Sequence, residues 1–109
     1  MIFRVEVTTN FKKQAKRLQK KFPSLKDELS DLFESLSANP KQGIALQDDC
    51  YKIRLAISSK GKGKSGGARV ITHVQVVGSK VYVLSIYDKA ERSDISDKEL
   101  RLLLGFLEK

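Results

Sequence analysis

Patterns typical of strands and of helices occupy separate stretches of this chain, and that separation restricts the fold more than any other feature. One strand-like run opens the sequence at residues 2–7, and three more follow one another between residues 50 and 87. Helical patterns fill residues 9–39 and the last part of the chain. The order strand, helix, helix, three strands, helix predicts an α+β domain. In it a small, mostly antiparallel sheet carries two N-terminal helices and one C-terminal helix on one face.

Local signals predict where the helices begin and end. Thr9 or Asn10 is the predicted cap of the first helix. Ser24 is the predicted cap of the second helix, which we expect to end near Asn39 because a proline follows. The segment Ser96-Asp-Lys-Glu is a capping box that predicts the start of the C-terminal helix.

The three strand-like runs cover residues 50–57, 69–77 and 80–87, with Gly78-Ser79 as a hairpin turn between the last two. Side chains alternate across a strand, so residues of like parity share one face of the sheet. We expect the polar members of these runs to share one exposed face, as a phosphate-binding site with candidate proton donors. They are Lys52, Arg54, Arg69, His73, Ser85 and Tyr87.

The length of 109 residues predicts a single domain spanning residues 1–109. A formal charge of +8 and an isoelectric point near 9.7 favour a nucleic-acid partner over an acidic protein or a small metabolite. The start of the chain lacks the apolar core of a signal peptide, and no long apolar helix is predicted that would anchor the protein on a membrane. We therefore expect cytoplasmic localisation and no membrane partner.

Lysines alternate with glycines in a loop between residues 58 and 69, and no acidic residue occurs between Asp49 and Asp88. Such a loop repels itself unless an anion offsets its charge, so it predicts binding of a polyanion, with phosphate as the obvious candidate. A Walker-type phosphate loop is excluded, because position 58 is serine where that motif needs glycine, and a strand rather than a helix follows.

The first helix is a second basic element. No acidic residue lies between Val7 and Asp27, and like charges spaced four apart weaken an isolated helix. This favours a surface that binds a nucleic-acid backbone over an ordinary solvated helix face. The cations are Lys12, Lys13, Lys16, Arg17, Lys20, Lys21 and Lys26.

One histidine and one cysteine cannot supply a typical zinc site, so we expect neither a metal nor another cofactor. Cys50 is expected to be a small buried residue at the start of a strand. For His73, packing or hydrogen bonding is favoured, and general acid–base catalysis is the alternative.

Three segments are similar to the RelE/ParE toxin superfamily: residues 50–55, the basic loop that closes on Arg-Val-Ile at 69–71, and residues 84–94. The ending Lys-Ser-Gly-Gly-Ala-Arg of the loop, with Ile-Tyr-Asp-Lys at 86–89, most resembles the HigB-like branch. The resemblance implies a RelE-like, microbial-ribonuclease-type fold. It also implies the toxin of a type II toxin–antitoxin pair, which enters the ribosomal A site and cuts mRNA without a metal. Its partners would be a cognate antitoxin, ribosomal RNA and mRNA.

Carried over by position, the resemblance implies that the strand cations surround the scissile phosphate and that the loop lysines match the family's basic loop. The predicted catalytic residues are Lys52, Arg54, Lys60, Arg69 and Tyr87. The predicted RNA-binding residues are Lys62, Lys64, Lys89, Arg92, Lys12, Lys13, Lys16, Arg17 and Lys20. Two positions depart from RelE itself, namely Ala90 in place of an arginine and Ser96 in place of a tyrosine. Tyr87, Lys89 and Arg92 are the candidate substitutes.

Attack of a ribose 2′-oxygen on the adjacent phosphate needs a base, an acid and charge stabilisation. A lysine acts as the base only when its pKa lies well below its usual value of about 10.4. We expect clustering of Lys52, Arg54 and Lys60 to lower it. Arg69 is expected to stabilise the developing phosphorane charge.

Two other functions stay open, a ParE-like inhibitor of gyrase and a non-catalytic RNA-binding domain. The loop lysines, with Arg69 and Tyr87 on the same face, favour cleavage over binding alone. An RNA-binding domain would more often expose aromatic rings for base stacking. Four of the phenylalanines are instead expected in the core, Phe3, Phe11, Phe22 and Phe33.

Overall fold

The computed structural model describes residues 2–61 and 66–108, and in this part it forms three helices and a five-stranded, mostly antiparallel sheet. The α+β class, the three helices and the mostly antiparallel sheet are as predicted. The N-terminal half contains β1 (Arg4–Val7), α1 (Thr9–Lys21), α2 (Leu25–Ala38) and β2 (Ile44–Ala45). The C-terminal half contains β3 (Cys50–Leu55), β4 (Ala68–Gln75), β5 (Lys80–Asp88) and α3 (Asp97–Gly105). Short 3₁₀ turns cover Ser58–Lys60 and Phe106–Glu108. None of the helices in the described ranges is both long and apolar enough to cross a membrane.

The strands are ordered β1-β5-β4-β3-β2, and every neighbouring pair is antiparallel except β1 and β5, which are parallel. The predicted hairpin turn joins β4 to β5. Gly78 and Ser79 both have positive φ, 91° and 51°, and the Ser79 amide donates to the Val76 carbonyl at 3.0 Å. Two consecutive residues of this kind are typical of tight hairpin turns. The two-residue strand β2 was not predicted, since so short a run carries no periodicity.

Side-chain caps begin α1 and α3. The cap of α1 is Thr8 rather than Thr9 or Asn10, since the Thr8 hydroxyl accepts the Phe11 amide at 3.1 Å. The Asn10 amide instead donates to the Leu84 carbonyl of β5 at 2.9 Å. The α3 cap is the predicted one, because the Ser96 hydroxyl accepts the Glu99 amide at 3.1 Å. Helix α2 begins after Ser24 and ends before Asn39, at the predicted positions, but the Ser24 hydroxyl does not cap it and instead donates to the Glu28 carboxylate at 3.1 Å.

The sheet carries helices on both faces, so the expectation that all helices pack on one face is wrong. Helices α1 and α2 cover one face, where fully buried side chains such as Leu18 and Leu36 pack with Val81 and Val83. Helix α3 covers the other face. There its leucines form a second core with residues of β3, β4 and β5: Leu100, Leu103, Cys50, Ile71, Leu84 and Tyr87.

A β-bulge explains why simple alternation failed in β5. Ser85 lies opposite Ile71, but Val83 lies opposite Thr72, so Leu84 has no partner residue in β4. An extra residue of this kind reverses which face later side chains occupy. Consequently Val83 faces α1 and α2, whereas Tyr87 faces α3.

Candidate functional site

Three of the predicted catalytic residues form a row across the sheet. Arg54 of β3 lies directly opposite Arg69 of β4, and Arg69 lies directly opposite Tyr87 of β5. Directly opposed side chains are neighbours on a sheet face, with Cβ atoms about 4.5–5.5 Å apart. By alternation Lys52 lies on the same face, opposite Ile71. The strand alternation therefore brings four of the five predicted catalytic residues to one face.

The sequence had suggested that this face is exposed, but in the structure it is only partly exposed. Arg54 is exposed, but Arg69 and Tyr87 are only 5% and 4% exposed. The Arg69 guanidinium donates to the Ala68 carbonyl at 3.1 Å. Tyr87 is buried by leucines of α3 and by Arg92 of the segment before it, which the strand pattern alone could not place. We call the face formed by Lys52, Arg54, Arg69 and Tyr87 the cationic face.

Two residues predicted on the cationic face have other roles. The Ser85 hydroxyl donates to the Gln14 side-chain oxygen of α1 at 2.9 Å, and the same oxygen accepts the Ile86 amide at 3.0 Å. Gln14 thus supplies a hydrogen-bond acceptor to the part of β5 that β1 does not reach. His73 stacks on Tyr82 with ring centroids 6.4 Å apart, in agreement with the packing role that the sequence favoured.

The Arg92 guanidinium covers the Tyr87 ring, at 4.8 Å from its centroid. Its two terminal nitrogens donate to the Glu99 carboxylate at 3.1 and 2.5 Å, and two more bonds reach the Asp94 carbonyl at 3.2 and 3.0 Å. The hydrogen bond to Glu99 is the main reason that the pKa of Arg92 is raised. Sequence reasoning assigned Glu99 only to the capping box and missed this contact.

Asp94 holds Lys52 of the cationic face through a contact that the sequence did not predict. The Lys52 ammonium donates to the Asp94 carboxylate at 3.1 Å. Hydrogen bonds from the Ile95 amide and from Lys52 lower the pKa of Asp94. The Lys89 ammonium donates to the Ser93 carbonyl at 3.1 Å. The segment between β5 and α3 therefore supplies the groups that hold Lys52, Lys89 and Arg92.

The Tyr87 hydroxyl is buried and has no hydrogen-bond partner among the described residues. Burial raises the pKa of this phenol; Asp94 adds to the rise, while the charges of Arg92 and Arg69 oppose it. The group is therefore un-ionised at neutral pH, with its proton available to an acceptor. A phosphate oxygen brought to the cationic face would be such an acceptor.

Lys60 does not join the other predicted catalytic residues. Its ammonium pairs with the Asp88 carboxylate and lies 5.6 Å from the Phe22 ring centroid, in the α1–α2 core. Burial tends to raise the pKa of Asp88, but hydrogen bonds from Lys60 and the Ala90 amide, with the charges of Lys60 and Lys21, lower it overall. Lys52 and Lys60 each face a carboxylate rather than one another, so the expected three-cation cluster is wrong.

Contacts between distant parts of the chain explain this error. The Ser58 amide and hydroxyl donate to the Glu28 carboxylate of α2 at 2.7 and 2.6 Å, which fixes the start of the basic loop. The carboxylates that neutralise this end of the loop lie far away in sequence, where a local search for acids misses them. Lys62 and Lys64 lie outside the described residues.

The cations of α1 form two groups rather than the single acid-free surface that the sequence predicted. Arg17 donates to Glu91 at 2.7 Å, and the Lys21 ammonium lies 3.6 Å from Glu91 and 3.9 Å from Asp88. The bond from Arg17 is the main reason that the pKa of Glu91 is lowered. The other group is exposed and consists of Lys12, Lys13, Lys16 and Lys20.

Within residues 2–61 and 66–108, no three His, Cys, Asp or Glu side chains are grouped so that they could hold a metal ion. Cys50 is fully buried at the start of β3, as predicted, and burial is the main cause that raises the pKa of its thiol to about 12. Its sulfur lies 3.7 Å from the His73 Nδ1 atom. A thiol with so high a pKa is a packing group rather than a nucleophile.

Comparison with known proteins agrees with the resemblance to the RelE/ParE superfamily. The sequence model of the RelE toxin of the RelE/RelB toxin–antitoxin system matches residues 3–106. An Escherichia coli RelE toxin with two arginine-to-alanine substitutions, solved in the free state, is 15% identical with a TM-score of 0.65. That match covers 98% of this chain and 99% of the other. The isolated E. coli RelE toxin is 17% identical with a TM-score of 0.60, over 95% and 98% of the two chains.

A further similar structure is the toxin–antitoxin complex RelBE2 of Mycobacterium tuberculosis, at 13% identity and a TM-score of 0.58. It covers 81% of this chain and 99% of the other. At identities this low, the solved structures show a shared fold. None of these matches separates the branches of the superfamily, so the HigB-like assignment stays a prediction.

Proposed function

The chain belongs to the RelE toxin family of toxin–antitoxin systems, and on that premise we propose that it is a ribosome-dependent, metal-independent mRNA endonuclease that stops translation. The observation that carries the proposal is the row Arg54, Arg69 and Tyr87 across one face of the sheet. Lys52 and Arg92 flank this row. Five groups of this kind gather positive charge and a proton donor where a phosphodiester can lie.

Each group of the cationic face suits one requirement of the reaction. The exposed Arg54 binds the scissile phosphate, and the buried Arg69 behind it stabilises the charge that develops on the phosphorane. The Lys52 ammonium, which Asp94 holds beside the row, gives up a proton to solvent and then accepts the proton of the attacking 2′-hydroxyl. The un-ionised Tyr87 hydroxyl gives its proton to the departing 5′-oxygen. The products are a 2′,3′-cyclic phosphate and a 5′-hydroxyl.

Two partners belong to this proposal. Exposed lysines that form no ion pair within the described ranges, Lys13 and Lys20, would contact ribosomal RNA, as would Lys62 and Lys64 of the loop. A cognate antitoxin would neutralise the toxin; the assembly named in the M. tuberculosis structure supports such a partner. The site of action would be the cytoplasm, where ribosomes translate.

Primer extension on a defined mRNA tests the proposal, with purified protein in the presence and absence of ribosomes that carry the message. We expect cuts only with ribosomes. Arg54→Ala should lower the cleavage rate about 10²-fold, since it removes one charge-stabilising group. Arg101→Ala, which removes an exposed arginine of α3, is the matched control. Folded protein that cuts no message, but damages DNA through gyrase, would overturn the proposal in favour of the ParE-like function.

A further inference from the structure

Residues 89–96 contact the cationic face, and acceptor groups of this segment hold cations of the site. The Lys52 ammonium donates to the Asp94 carboxylate at 3.1 Å. Arg92 donates twice to the Asp94 carbonyl, at 3.2 and 3.0 Å, and the Lys89 ammonium donates to a carbonyl of the same segment at 3.1 Å. We call residues 89–96 the cover segment. In the free chain these three cations are therefore held within the protein.

The Asp94 carboxylate lies where a phosphate of the substrate would bind. It contacts the Lys52 ammonium directly. Burial is the main cause that raises the pKa of Tyr87, and the charge of Asp94 is the next, so this carboxylate lies near the phenol as well. It does not accept the Tyr87 proton, because that hydroxyl has no partner among the described residues. One negative charge is thus already present between the proposed base and the proposed acid.

The cover segment keeps a phosphodiester away from the Tyr87 hydroxyl. This tyrosine is only 4% exposed, and the Arg92 guanidinium lies 4.8 Å from its ring centroid. A general acid has to come within hydrogen-bond reach of the oxygen that it protonates. The proposed reaction therefore requires the segment to move. Its attachment at Asp94 is a weak one, because the Asp94 side chain is 61% exposed and exposed ion pairs contribute little to stability.

We propose that Asp94 is an autoinhibitory group, which a phosphate of the RNA displaces from Lys52. The exchange replaces one anion by another on the cationic face, so it leaves no charge uncompensated. When the segment moves, the bonds from Arg92 to the Asp94 carbonyl are lost, while Glu99 keeps the guanidinium attached to α3. The cover segment then opens beside the Tyr87 hydroxyl. The inference rests on the proposed function in taking RNA as the ligand and Tyr87 as the acid.

Hydrogen exchange of the unchanged protein, read by NMR at the Ile95 amide, tests the displacement. The probe is a short single-stranded RNA with 2′-O-methyl groups, which has no free 2′-hydroxyl to attack and is not cut. In the free chain the Ile95 amide donates to the Asp94 carboxylate at 2.8 Å. Displacement should make this amide exchange at least about fivefold faster when RNA is added, because it loses its acceptor. Slower or unchanged exchange would overturn the inference.

Asp94→Asn tests the inhibitory charge. Asparagine keeps an oxygen that can accept the Ile95 amide but loses the charge that pairs with Lys52. The variant should bind the same RNA about two- to fivefold more tightly at low salt, and the difference should shrink at high salt. Asp31→Asn makes the same change of charge on the exposed surface of α2 and should bind as the unchanged chain does.

Circular dichroism checks that each variant is folded. Equal binding by the folded Asp94→Asn protein would show that the carboxylate does not compete with RNA. Weaker binding would make Asp94 a residue that positions Lys52 for the substrate. Either result would contradict the inference.

A double variant shows whether the effect passes through Lys52. In a Lys52→Gln background Asp94 has no ammonium to occupy, so Asp94→Asn should no longer strengthen RNA binding. The same gain in both backgrounds would show a general effect of charge, and the inference would be wrong.

Cleavage assays separate this inference from the proposed function. Tighter RNA binding by Asp94→Asn, in a protein that cuts no ribosome-bound message in any form, would remove the proposed catalysis and leave the displacement of Asp94 standing. Ribosome-dependent cutting by the unchanged chain, with no faster exchange at Ile95 on RNA binding, would remove the displacement and leave the proposed function standing.

Discussion

At the scale of single residues, Tyr87 combines a buried hydroxyl with the absence of any hydrogen-bond partner in the described residues. An unsatisfied buried polar group costs about 1–3 kcal/mol of stability. A ligand that supplies the missing acceptor would offset this cost, and a phosphate oxygen on the cationic face would be such an acceptor. Under the proposed mechanism, the same hydroxyl would lower folding stability and raise the cleavage rate.

Tyr87→Phe should therefore leave the melting temperature unchanged or raise it, because it removes a buried hydroxyl that has no partner. Cleavage of ribosome-bound mRNA should fall about 10²- to 10⁴-fold, the usual loss of one general acid. Single-turnover primer extension and a thermal melt measure the two effects. Tyr82→Phe is the control, since Tyr82 stacks on His73 outside the cationic face. An unchanged cleavage rate would remove Tyr87 from the proposed mechanism.

Alternation along β3 and the start of β4 sufficed to predict that Arg54 and Arg69 share a face, because no irregularity lies between them. The same reasoning failed for Ser85, which follows the bulge residue Leu84. A bulge depends on how two strands pair, and no residue of β5 predicts it from the sequence. Catalytic roles within the row stay predictions.

At the scale of elements, α3 supports the cationic face and also belongs to the second core. Its inner leucines pack on the sheet, and Glu99 in its first turn holds the Arg92 guanidinium over Tyr87. The capping box correctly predicted where α3 begins, through the bond from the Glu99 amide to Ser96. It could not predict that the Glu99 side chain turns to Arg92, because that contact depends on the path of residues 89–96.

Glu99→Gln tests whether α3 positions Arg92 for the reaction. Loss of the carboxylate charge should free the guanidinium and lower the cleavage rate about tenfold, a coupling of about 1.4 kcal/mol. In an Arg92→Ala background the same substitution should have little further effect. Glu34→Gln, on the exposed surface of α2, is the matched control. Additive effects in the double variant would show that Glu99 and Arg92 act independently.

At the scale of the whole molecule, carboxylates from distant segments neutralise cations that look unpaired in the sequence. Lys60 meets Asp88 across 28 residues, and Lys52 meets Asp94 across 42. Composition correctly gave the excess of positive charge, but only the folded chain shows which cations have no carboxylate partner. Among the described residues, the lysines that line a groove between α1 and α2 form no ion pair, whereas those beside Asp88 and Asp94 do.

These pairs make stability depend on pH in one direction. The pKa values of Asp88, Glu91 and Asp94 all lie below the ordinary values, 3.8 for aspartate and 4.5 for glutamate. The unfolded chain therefore takes up protons at higher pH than the folded chain does. The stability that the pairs contribute is complete above the ordinary values and is lost as the pH falls through the lowered ones.

Asp88 should dominate this loss, because its side chain is 1% exposed, while those of Glu91 and Asp94 are 38% and 61% exposed and screened by solvent. The melting temperature should thus be nearly constant from pH 7 to 5 and fall steeply from pH 4 to 2.

Asp88→Asn leaves the Lys60 charge without its carboxylate and should cost about 3 kcal/mol at pH 7. Its melting temperature should then change less steeply with acid than that of the unchanged chain. Asp27→Asn, on the exposed face of α2, should behave like the unchanged chain. An Asp88→Asn protein whose acid transition is as steep as that of the unchanged chain would show that groups other than Asp88 take up the protons on unfolding.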